Sequence, residues 1–89
     1  MLSIFRKKKF EKDVKLVKRR GKDLNKLKNV LNHLVKQNPL PLRFYDHILQ
    51  GEFADCRECH IEPDWLLIYY INNDELILLR TGSHADLFK

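Results

Sequence analysis

Three histidines, an aspartate and an arginine in the second half of the chain carry the residue types that proton-transfer chemistry needs. His60 and Asp64 lie in HIEPDW, residues 60 to 65, on either side of Pro63; His47 precedes them, and Arg80 and His84 follow. Imidazole, with an unperturbed pKa of about 6.5, gives and takes protons near neutrality. Cleavage of a phosphodiester by the neighbouring ribose 2′-hydroxyl needs a base for the hydroxyl proton and an acid for the leaving 5′-oxygen. It also needs a cation against the charge that builds on phosphorus. Two histidines and an arginine supply these roles without a metal. Two other readings stand beside this one. Two histidines and a carboxylate also match a metal centre, although H-x-x-x-D is far less specific than H-E-x-x-H on a helix. Each histidine alone also reads as an ordinary polar residue, and His33, in a helical stretch, belongs there.

The chemistry requires elements that bring these residues together. Leu2 and Ile4 alternate with Ser3 and Phe5 in a short first strand. Phe10, Val14 and Val17 recur at helical spacing up to a stop at Gly21. Asp23 is placed to cap a second helix with an apolar stripe of Leu24, Leu27, Leu31, Leu34 and Val35, which the prolines 39 and 41 end. After a polar loop over residues 42–50, strands are expected at 52–61, 65–72 and 75–81. Tight turns join them at Glu62-Pro63-Asp64 and Asn72-Asn73-Asp74. Ser83 can cap a last helical turn.

The fold class is therefore α+β in the order β-α-α-β-β-β, one domain over residues 1–89. An antiparallel sheet carries the two N-terminal helices on one face. Such a meander puts the end of one strand beside the start of the next, which gathers His60, Asp64, Arg80 and His84 at one end of the sheet, with His47 arriving from the preceding loop.

Composition sets the boundaries. The chain has 89 residues, 44% of them hydrophobic, and its longest apolar run, residues 65–71, is too short to span a bilayer. In MLSIFRKKK the charges follow the apolar residues, the reverse of a secretory signal, so a cytoplasmic protein is expected. The net charge of +5 is unevenly spread. Residues 1–36 hold 13 Lys/Arg against three acids, and residues 37–89 hold four against nine. A basic first half suits nucleic acid or an acidic protein segment, and equally a solvated helix surface. Cys56 and Cys59 form a lone C-x-x-C. On a strand, residues three apart point to opposite faces, so reduced structural thiols are expected, not a zinc or redox pair.

The segments YDHILQG, RECHIEPDWLLIY and LLRTGSHADLF, in this order, resemble the YafQ-type toxins of the RelE/ParE superfamily. FEKDVKL and GKDLNKLKNVLNHL resemble that family's two helices, so the resemblance covers nearly the whole chain. It implies a ribosome-dependent endoribonuclease that cuts messenger RNA without metal or other cofactor. It also implies a cognate antitoxin, operator DNA bound only through the antitoxin complex, and no membrane partner. By position, the family's site residues fall on His47, His60, Asp64 and His84. Arg80 falls at the phosphate-binding arginine, and Phe88 at an aromatic able to stack on a base, a contact of roughly 1–3 kcal/mol. Glu58 departs from the pattern; it shares a strand face with His60 and either tunes that histidine or repels phosphate. Arg57 points the other way and ranks below Arg80 for phosphate contact. Within the superfamily the alternative is a ParE-like inhibitory binder of gyrase without nuclease activity, and outside it a nucleic-acid-binding regulator that uses the basic helices.

Overall fold

In the computed structural model, which describes residues 1–88, the elements run β1 (Ser3–Arg6), α1 (Lys8–Arg19), α2 (Leu24–Val35), β2 (His47–Ile48), β3 (Arg57–Glu62), β4 (Trp65–Asn72), β5 (Glu75–Gly82) and α3 (His84–Leu87). Local chemistry explains both helix ends near residue 21. The Lys22 N–H reaches the Val17 carbonyl and the Gly21 N–H that of Lys18, a Schellman closure with Gly21 at φ +86°. The Asp23 carboxylate then accepts from the Asn25 N–H at 2.9 Å and opens α2.

The sheet order is β1-β5-β4-β3-β2. β2 to β5 pair antiparallel, as tight turns demand, but β1 lies parallel to β5, Ser3 opposite Glu75 and Arg6 opposite Leu78. The sheet is thus mixed where an antiparallel one was expected. Two helices separate β1 from the meander, and a connection of that length lets a strand return in either direction. Two boundaries also differ from expectation. The extended run expected over 52–61 starts at Arg57, because residues 51–53 form a 3₁₀ turn and Asp55 takes φ +70°. Inside the expected loop lies β2, whose His47 stands opposite Glu58.

β4 is covered on both faces, which is why WLLIYYI reads as an unbroken apolar run. On one face Trp65, Leu67 and Tyr69 meet Phe10, Val17, Leu27, Val30, Leu31 and Leu34 of the helices. On the other, Leu66 and Ile68 join a smaller cluster with Cys56 and Leu87, packed against Leu49, Phe53, Tyr70 and Leu79. Cys59 belongs to the first cluster and Cys56 to the second, so the thiols lie on opposite sides, both free. Burial pushes both thiols up, away from the reactive thiolate. No helix among the described residues is long and apolar enough to cross a membrane.

Candidate active site

The face of the sheet turned away from α1 and α2 carries the candidate residues. His60 stands opposite Leu66, and Glu58 opposite Ile68, so both project on the side of the smaller cluster. His47 enters beside Glu58 from β2, and His84 arrives on the first residue of α3.

Glu58 is only 5% exposed, yet it carries an ionisable carboxyl. Its Oε2 lies 3.3 Å from His47 Nε2 and its Oε1 3.5 Å from His60 Nε2. The other His47 nitrogen, Nδ1, is 2.7 Å from the Tyr45 carbonyl oxygen. A carbonyl only accepts, so Nδ1 bears a hydrogen and Nε2 faces the carboxyl. Glu58 thus sits between the two imidazoles, with one carboxyl oxygen toward each.

His84 is held differently. Its backbone N–H and its Nδ1 lie 2.8 and 2.7 Å from the same Asp64 oxygen. The hydrogen of this contact sits on Nδ1, which leaves Nε2 as the ring's free protonation site. The backbone N–H and ring of His84 together hold the Asp64 carboxyl below its usual range. The short helix under His84 is itself fixed by Ser83 and Asp86, which form a capping box. The Arg20 guanidinium grips Asp86 with two bonds of 2.6 and 3.2 Å. Gly82 makes this possible: a Cβ there would stand 2.8 Å from an Asp86 oxygen.

The rings form one connected row of contacts, with Tyr45 touching both His47 and His60 at one side. Tyr45 and His47 centroids are 4.6 Å apart, His47 and His60 6.4 Å, His60 and His84 5.7 Å, and His84 and Phe88 6.5 Å. The structure thus brings together His47, His60, Asp64, His84 and Phe88, with Glu58 beneath. Donor atoms of Glu58, His60 and His84 all lie within 4.8 Å of one another, and this is the group that could hold a metal ion.

Arg80 is placed otherwise than expected. It stands opposite Ile68 on β5, one strand beyond the partner it shares with Glu58. Two strand spacings, about 9–10 Å, separate its strand from that of His60. Its guanidinium turns to α1, where Nε and Nη2 bind Asp13 at 2.7 and 3.1 Å, and this carboxylate raises its pKa. The same Asp13 also accepts from the Thr81 N–H at 3.1 Å. Arg57 lies off the row, as strand parity predicts, and shares Asp46 with the Tyr69 hydroxyl. His33 faces its own helix, with Nδ1 3.0 Å from the Asn29 carbonyl. Sequence reasoning missed Tyr45, whose backbone occupies the left-handed region at φ 48° and ψ 49°. No local signal marks a tyrosine for that conformation, which favours Gly, Asn and Asp.

Known proteins resemble this chain over nearly its whole length. The family described as "Bacterial toxin of type II toxin-antitoxin system, YafQ" matches residues 2–89. The chain belongs to the YafQ toxin family. A relative within it, the mRNA interferase toxin YafQ of Escherichia coli K12, is 48% identical over 80 residues, 89% of this chain and 87% of that protein. Among solved structures, a copper-bound mutant toxin from Helicobacter pylori superposes with a TM-score of 0.94 at 46% identity, covering 99% of this chain and 100% of the other. The toxin in the E. coli DinJ-YafQ complex does so with 0.91 at 43%, over the full length of both.

Proposed function

We propose that this YafQ-family chain is an endoribonuclease that cuts messenger RNA on the ribosome through attack of a ribose 2′-hydroxyl, without a metal. The observation that carries the reading is the pair of differently held imidazoles, His60 beside buried Glu58 and His84 against Asp64. Two imidazoles held by different partners at one site can divide the acid and base roles between them.

His84 is the general acid. Asp64 fixes its Nδ1–H, so that Nε2 is the atom that delivers a proton to the departing 5′-oxygen. His60 is the better base, because both nitrogens of His47 are engaged by Tyr45 and Glu58. His60 takes the 2′-hydroxyl proton as the oxygen bonds to phosphorus and the bond to the 5′-oxygen breaks. The products are a 2′,3′-cyclic phosphate and a free 5′-hydroxyl. His47 orients Glu58, and Phe88, 43% exposed, offers a ring to a base. Arg80 is the cation, exchanging Asp13 for a phosphate oxygen as RNA enters. A cognate antitoxin neutralises the toxin, as the DinJ-YafQ relative suggests, and operator DNA is engaged only through that complex.

Single-turnover cleavage of ribosome-bound mRNA by the purified chain tests this, with the upstream fragment analysed for a cyclic phosphate. A protein that binds its antitoxin but cuts no mRNA would favour the ParE-like reading, to be checked by gyrase inhibition.

A further inference from the structure

We infer that Tyr45 is a second base-stacking residue, so that mRNA is held with the two bases flanking the scissile phosphate on different aromatics, one on Tyr45 and one on Phe88. The inference rests on the nuclease reading above and names how that site holds its substrate.

Four observations carry it. First, Tyr45 and Phe88 touch different imidazoles: the Tyr45 ring is 4.6 Å from His47 and 5.5 Å from His60, edge-on to the latter at 86°, and the Phe88 ring is 6.5 Å from His84. His60 and His84, 5.7 Å apart, thus link the two aromatics. Second, Tyr45 is 64% exposed although its ring touches two side chains. An aromatic serving only as packing would bury its faces, since their removal from water is what stabilises it. Third, its backbone is in the left-handed region, which disfavours a bulky L-residue and persists only where the surroundings hold it. Here the preceding 3₁₀ turn, whose Leu42 carbonyl accepts from the Tyr45 N–H, and the His47 bond to the Tyr45 carbonyl hold it, so the ring is presented on a fixed support. Fourth, the far end is built alike: Phe88 is half-exposed, with Phe53 edge-on behind it at 5.8 Å.

The reaction explains why two platforms are useful. The attacking 2′-oxygen, phosphorus and the departing 5′-oxygen must come into line. In stacked A-form RNA the 2′-oxygen lies beside the 5′-oxygen and not opposite it. Parting the two bases onto separate rings rotates the intervening phosphate into line, and stacking supplies the binding energy for that rotation. Every base has a π-face, so the platforms accept any sequence and favour purines by area.

The test measures single-turnover cleavage of ribosome-bound mRNA at sub-saturating toxin, with wild type, Tyr45→Ala, Tyr45→Phe and Phe88→Ala. Substrates carry an abasic nucleotide on one side of the scissile phosphate or the other. Tyr45→Ala should lower the rate about 5- to 150-fold, the range that deleting an aromatic–base stack gives, and Tyr45→Phe should restore it. An abasic nucleotide on one side should abolish the difference between wild type and Tyr45→Ala, and on the other side that between wild type and Phe88→Ala. Thermal unfolding and antitoxin binding of each variant confirm a native fold. An equal loss for Tyr45→Ala on all substrates would make the ring a support for His47 and overturn the inference. So would an unchanged rate, with or without weakened antitoxin binding. Wild-type protein that cuts nothing would instead overturn the nuclease reading itself.

Discussion

His84 presents both its backbone N–H and its Nδ1 to a single oxygen of Asp64, at 2.8 and 2.7 Å. Twenty residues separate the two in sequence, and the contact joins the β3–β4 turn to the start of α3. It engages Nδ1 and fixes the ring's place, with Nε2 outside this contact.

The first prediction follows from that. His84→Ala should reduce single-turnover cleavage by about 10²–10⁴, the contribution of a positioned acid or base, while leaving antitoxin binding intact. His33→Ala, on α2, should cut at the wild-type rate. A folded His84→Ala protein with full activity would remove this residue from the mechanism.

Acid should unfold the protein through three carboxylates. Arg20 holds Asp86 far below the usual range, Lys22 and Lys26 lower Glu62, and His84 lowers Asp64. In each case the folded state binds fewer protons than the unfolded chain once pH drops toward the ordinary carboxylate value of about 4. Stability is therefore complete above about pH 5 and falls as pH falls. Arg20→Ala should melt a few degrees lower at pH 7, and the gap to wild type should narrow toward pH 2. Circular dichroism melts across that range check it; a gap that stays constant would show that the pair contributes through packing alone.

Association with the antitoxin should slow as salt rises. Lys12, Lys15, Lys18 and Arg19 lie together and exposed on α1, and residues 1–36 carry a net charge of +10. Steering between exposed charges is screened within about 10 Å at 0.1 M salt. Stopped-flow association rates that are equal at low and high salt would rule out this steering.

Copper or zinc should inhibit cleavage, and a chelator should leave it unharmed. A metal ion held by Glu58, His60 and His84 would occupy the lone pairs that the proposed base and acid need. Magnesium must be kept constant in the assay, because it also holds ribosomes together. Activity lost to EDTA and restored by zinc would transfer the mechanism to a metal centre.

The parts of this molecule that rest on near neighbours were legible in its sequence. Asp23 as a cap, Gly21 as a helix stop and the two turns of the meander each depend on a few consecutive residues, and they placed His60, Asp64 and His84 correctly. What depended on distant partners was not legible. Arg80 was expected beside His60, but it is bound to Asp13, 67 residues away, and no local rule pairs them. The two-residue β2 has too short a pattern to register as a strand, although it delivers His47 to Glu58. The exposed left-handed Tyr45 contradicts its own propensity, as residues at working sites are prone to do.

The parallel pairing of β1 with β5 has a consequence for synthesis. Ser3 finds its partner only once Glu75 exists, and Arg20 and Asp13 wait for Asp86 and Arg80. Contacts this far apart in sequence close late and slowly, after most of the chain has been made. His84 and Phe88 flank Asp86 on the segment that these late contacts anchor. The histidine that Asp64 holds is therefore seated only when contacts spanning the length of the chain have closed.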